Sequence, residues 1–159
     1  MIMVNMRIRK FLVVVDDTTE CLRAVNYASQ RAVRANGKLT LLRVVDPSDF
    51  HHWLGVGKLM KKEAEAEANM VLEKLSLLVN QETGLIPEII VRHGQADNEI
   101  ISLIKEDKTI SLLVLAAGTE LNNPGPLVSS FTGTKSGSFP IPITIVPGHL
   151  SEKTILELS

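Results

Sequence analysis

The sequence predicts an α/β protein built on a single doubly wound parallel sheet with helices on both faces. Three observations carry that reading. Short apolar runs rich in Val, Ile and Leu alternate with segments of helical period, in the order β-α-β-α-β-α-β-α-β. The runs are apolar throughout rather than alternating with polar residues, as strands buried on both faces are. The length, 159 residues, suits one domain, and no internal repeat or linker divides it.

Phe11 to Val15 reads as the first strand, ended by Asp16 and Asp17. Asp17 is expected to cap the next helix, with Glu20 three residues on. Leu22, Val25, Ala28 and Ala32 share that helix's apolar face, and Asn36-Gly37 ends it. Leu39 to Val45 is the second strand, stopped by Asp46-Pro47. An aromatic linker from Pro47 to Gly57 leads into a long helix from Lys58 to Thr83. Met60, Ala64, Val71, Leu75 and Leu78 supply its apolar spacing, and Gly84 closes it. Ile89 to His93 is the third strand, with Pro87 at its start or on a sheet edge because proline has no ladder donor. Gly94 to Asp97 introduces a helix carrying Ile100, Ile101, Leu103 and Ile104. Ile110 to Ala117 is the fourth strand, followed by a Gly- and Pro-rich loop and a weak helix from Leu127 to Gly137. Ile141, Ile143 and Ile145 belong to the fifth strand, and the tail from Ser151 forms one further helical turn. The domain is expected to span residues 7–148, with 149–159 as a tail.

Composition narrows the function. With 17 basic against 18 acidic side chains and a pI near 6.4, the chain does not suit a nucleic-acid binder that works by neutralising phosphates. One cysteine, Cys21, rules out an internal disulfide framework and a Cys-based zinc cluster. Met1 to Met6 is too short for a signal-peptide core, and no stretch approaches the roughly 20 apolar residues of a membrane span. The expectation is a cytoplasmic protein without nucleic-acid or membrane partners.

Several motifs fail. The turn after strand one, Asp16-Asp17-Thr18-Thr19, has no glycine fingerprint, and its acidity repels a pyrophosphate. Gly133-Thr134-Lys135-Ser136 has the wrong order for a Walker loop, and no G-x-S-x-G elbow is present. His51 and His52 are adjacent, so their side chains diverge and no metal is expected there. The acidic pair after strand one also suits a response-regulator receiver domain. That chemistry needs an Asp ending strand three and a Lys ending strand five. The sequence has Arg92-His93-Gly94 and Val146-Pro147-Gly148 instead, which leaves the receiver as a minor alternative.

From Lys10 to Gly148 the chain resembles the universal stress protein family. Three patterns carry the likeness: strand one running into Asp16; Leu41 to Pro47, close to the family's Leu-Leu-His-Val-Val-Asp-Pro; and a strand, Gly-rich loop, Ser-containing helix start and Pro140-Ile141-Pro142 before a final strand. The linker and long helix are similar to an alphaproteobacterial subgroup. The resemblance implies sheet order 3-2-1-4-5 and a site for ATP or AMP between strands one and four, with magnesium only alongside a nucleotide. It places adenosine contacts on Asp16, an adenine-pocket wall on Val44, and close backbone approach to the ribose at Gly94. Phosphates would meet the loop after strand four and the next helix's amino end. Counted back from Pro140, the family's G-x-x-G pattern falls on Ala116 and Thr119, with Gly118 beside them, and its G-S pair on Ser129 and Ser130. The glycine motif is thus altered, and the implied binding is weak or favours fewer phosphates.

Each candidate also has a structural role. Asp16 ends a strand near a helix amino terminus, Val44 suits the core, and Ser129 and Ser130 suit helix caps. Phe50, His52 and Trp53 form the densest aromatic patch, either a partner-docking surface or a loop anchored on the long helix. Ile141, Ile143 and Ile145 lie on an expected sheet edge, and the resemblance implies a homodimer through them. The expected function is a stress-response sensor or regulator rather than an enzyme, with at most slow incidental ATP hydrolysis. The alternative is a nucleotide-independent interaction module.

Overall fold

The computed structural model describes residues 7–50 and 57–159. The chain forms β1 (Lys10–Val14), α1 (Cys21–Arg34), β2 (Lys38–Val45), a 3-10 turn (Pro47–Phe50), α2 (Gly57–Thr83), β3 (Glu88–His93), α3 (Ala96–Glu106), β4 (Ile110–Ala117), α4 (Pro126–Thr132), a second 3-10 turn (Ser136–Ser138), β5 (Ile143–Pro147) and α5 (Glu152–Leu158). The strands make one five-stranded sheet in the order β3-β2-β1-β4-β5, and every pairing is parallel. The expected α/β class and strand order are therefore both found.

Two apolar layers hold the helices to the sheet. On one face Phe11 and Val13 of β1, with Val15 just beyond it, meet Val25, Ala28 and Ala32 of α1, Leu72 and Val79 of α2, and Ile155 of α5. On the other, Leu12 and Leu42 meet Ile100 and Ile104 of α3 and Val128 and Phe131 of α4. Successive residues of β1 feed opposite layers because strand side chains alternate. This explains why its run is apolar without interruption.

Local chemistry sets the element ends. Asn36 takes the left-handed conformation, φ +50°, and Gly37 donates to the carbonyl of Ala32 at 2.8 Å. Gly37 is needed for space: a Cβ there would sit 2.5 Å from the Arg9 carbonyl oxygen. Gly84, at φ +77°, ends α2. Ser151 caps α5 by accepting from the Thr154 amide at 3.1 Å, and Arg34 of α1 donates to the Leu156 carbonyl at 3.0 Å and to that of Ser159.

Five expectations are corrected. Asp17 does not cap α1; Glu20 holds the cap position without a side-chain bond, because Asp17 is drawn to Arg43 at 2.6 Å. Leu22 is 46% exposed rather than on the buried face. In α2 the buried line is Ala68, Leu72, Leu75 and Val79, and Leu78 faces outward. The weak helix stops at Thr132, since Gly133 leaves helical geometry at φ −86°, ψ −127°. Strand five begins at Ile143, because Pro140 and Pro142 deny the preceding residues ladder donors. Residues 51–56 carry His52 and Trp53 and lie outside the described residues, as does the Phe50 side chain.

Candidate functional site

Where strand order switches between β1 and β4, their carboxyl ends open into a cleft of about 1010 Å³. The α1 crossover leaves on one face of the sheet and the α3 crossover arrives on the other, so the loops that follow β1 and β4 diverge at this point. Parallel sheets place their ligands at such a gap.

The structure brings together Asp16, Val44, Ala116, Gly118, Thr119 and Ser130 as lining residues. Gly94 and Ser129 are not among them. Gly94 lies one residue behind the wall, which Gln95, Ala96 and Asp97 form. Its amide donates to the Val45 carbonyl at 2.9 Å, and its φ of +144° favours glycine. Ser129 is exposed on α4.

Asp16 is exposed and serves its own turn. One carboxylate oxygen accepts from the Thr18 amide at 2.9 Å and from the Thr18 hydroxyl. This local ring ends β1 before the helix begins. Val44 is half-buried against the α3/α4 layer and gives the cleft an apolar wall.

The loop after β4 closes on itself. The Gly118 amide donates to the Pro124 carbonyl at 2.9 Å, and the Asn123 amide to the Glu120 carbonyl at 3.1 Å. Asn122 and Gly125 take positive φ to make that reversal. Pro126, the first residue of α4, carries no N–H. Two donors that a phosphate cradle would use are therefore spent or missing.

Charge sets the character of the cleft. Asp16, Asp17, Glu20 and Asp46 line it, as do Glu67 of α2, Asp97 of α3 and Glu120 of the loop. Among the described residues, Arg43 is the lining cation. Its guanidinium donates to the Val15 carbonyl at 3.3 Å and to Asp17 at 2.6 Å, which fixes it beneath the β1 end. Lys135 donates to Asp97 at 2.7 Å and holds that carboxyl below its usual range. Cys21 is buried at the cleft wall, and burial, with the neighbouring Asp16 charge, pushes its thiol up, away from the reactive thiolate. His93 sits at the β3 end with Nε2 3.4 Å from Glu65, and its Nδ1 is buried without a hydrogen-bond partner among the described residues. No group of three or more metal-ligating side chains stands close enough to hold an ion among the described residues.

Sequence reasoning missed Arg43, Glu67 and Asp97. Arg43 had a signal, since it stands where the resembling family's strand-two pattern has His. Glu67 had none, being one of several charged residues on a long helix.

The Universal stress protein family matches the chain over residues 7–147. Solved structures share the fold. A universal stress protein from Lactobacillus plantarum is 22% identical, with 88% of this chain and 98% of that one covered and a TM-score of 0.74. A universal stress protein solved in complex with cAMP is 18% identical, covering 89% and 98%, with a TM-score of 0.61. A family member from Arabidopsis thaliana solved with AMP bound is 19% identical, covering 87% and 91%, with a TM-score of 0.58. No curated protein matches the chain in sequence. No described helix is long and apolar enough to cross a membrane.

Proposed function

The chain belongs to the universal stress protein family, and on that premise we propose that its switch-point cleft binds an adenine nucleotide carrying few phosphates, as a regulatory sensor in a stress response. The observation that carries this reading is one fixed cation, Arg43, among carboxylates beside the apolar wall of Val44. One cation suits one phosphate group. Each further phosphate brings charge toward Glu20 and Glu120, which repel it. The relatives solved with AMP and cAMP support a mononucleotide. Asp16, Ala116, Gly118, Thr119 and Ser130 then face the ligand, while Gly94 and Ser129 act from behind the wall. ATP is admitted weakly, with magnesium offsetting part of the repulsion, and hydrolysis is slow and incidental. The protein works in the cytoplasm as a homodimer through the β5 edge.

Calorimetric titration with AMP, ADP and ATP tests this. AMP is expected to bind at least as tightly as ATP, and Arg43→Ala to weaken AMP by about tenfold or more, as losing a charged hydrogen bond does. Sub-micromolar ATP affinity with a clear ATP preference would overturn the reading.

The self-closed loop also favours a second reading, a nucleotide-independent interaction module. Native mass spectrometry of freshly purified protein separates the two: a retained nucleotide supports the sensor, and a bare chain carrying a protein partner supports the module.

A further inference from the structure

A second groove, of about 860 Å³, lies at the other end of the sheet. The lead-in to β1, the carboxyl ends of α1 and α3, and the approach to β5 enclose it. Its cations are Arg7, Arg9, Lys105 and Lys108, and no carboxylate lines it among the described residues. Asp107, next in sequence, is turned away onto Lys10 at 2.6 Å. None of the four cations has an ion-pair partner among the described residues.

That concentration is unexpected in a chain of net charge −1. Lys105 sits in the last turn of α3, where a cation complements the carbonyl end of a helix. Arg7 and Arg9 precede β1 and belong to no helix. Like charges grouped without counter-charge raise the free energy of the empty protein, and a bound anion relieves it. The groove is also partly apolar: Ile8 is 55% exposed, Ile141 is half-buried, and Ile104 and Ile110 close the floor. Concavity, a volume within the small-molecule range and mixed lining point to a small ligand rather than a flat macromolecular surface.

We propose that this groove binds an amphiphilic anion, a phosphate or carboxylate head among the Arg and Lys side chains with an apolar chain against Ile8 and Ile141. The site is independent of the cleft. The test is calorimetry of the full chain at low salt, with decyl phosphate and decanoate below their micelle concentrations, inorganic phosphate, and a decyl ammonium salt. At least one decyl anion is expected to bind saturably, about tenfold or more tighter than inorganic phosphate and than the decyl cation. Whether the phosphate or the carboxylate is tighter assigns the head group to a phosphoester or a fatty acid. The double variant Arg9→Glu with Lys108→Glu is expected to weaken the decyl anion by about tenfold or more while leaving AMP binding at the cleft unchanged. Ile8→Asp, at an exposed side chain, gives a second arm if the double variant misfolds, and should lower decyl-anion affinity likewise. No saturable binding, equal affinity for inorganic phosphate or the decyl cation, or affinity indifferent to both variants overturns the proposal.

Discussion

Asp107 shows how one carboxylate ties strand to helix. The Lys10 ammonium, then the Thr109 hydroxyl, bond it and bring its pKa from 3.8 to about 2. A carboxylate depressed in the folded state lends stability that is complete above its unfolded pKa and lost as pH falls through its folded one. The contribution is therefore whole above about pH 4 and gone below about pH 2. Asp107→Asn is expected to cost about 1–2 kcal/mol at neutral pH and to flatten the acid limb between those values, read by urea melts across the pH range. Gly37 is a steric case. With the Arg9 carbonyl oxygen 2.5 Å from an added Cβ and the Phe11 ring at 3.2 Å, Gly37→Ala must shift backbone. Denaturant melts should show a loss of about 1–3 kcal/mol. At this scale the sequence is half legible. Asn36-Gly37 announced a helix stop, but which of the two takes positive φ and which makes room depends on Arg9, a residue of another element. Asp17 looked like a cap by spacing, yet an Arg one strand over competes for it more strongly than an amide does.

At the scale of elements, apolar period located the five strands and the helices between them, matched β4 at both ends and α2 at Thr83, and misjudged other ends, as at α4 and β5. The α4 segment is instructive. Its glycines predicted weakness, and the break falls at the first of them, Gly133. What makes the short helix stay is Phe131, fully buried with its ring 4.8 Å from that of Phe139. Phe131→Ala removes that anchor and should cost about 3–5 kcal/mol by thermal or denaturant unfolding. The loop before α4 supports the cleft rim, so the same variant should also loosen nucleotide binding. Faces were legible where one layer was contacted, as in α1 from Val25 to Ala32. They were less so for α2, where burial is confined to Ala68, Leu72, Leu75 and Val79 of its 27 residues.

For the whole molecule, alternation of periods sufficed to place helices on both faces, and the family resemblance supplied the strand order. The rule that parallel sheets open at their switch point located the cleft. Its charge was hidden, because Asp46, Glu67, Asp97 and Glu120 come from four separate stretches and converge only on folding. The edge position of β5 leaves one side of that strand without a ladder partner in the sheet. If two copies join there, Ile143→Glu should shift the mass in light scattering from dimer to monomer without loss of helix content; a variant that stays dimeric removes this interface from consideration.

The exit of β5 has one more consequence. Gly148 donates to the Ala117 carbonyl at 3.0 Å, and a Cβ on it would meet that oxygen at 2.5 Å and Glu20 Cβ at 2.8 Å. Glu20 in turn lies against Gly118. Only a residue without a side chain lets the exit of the outer strand and the lip of the opening meet backbone to backbone, so the width of the opening on that side is set by the absence of a single carbon atom.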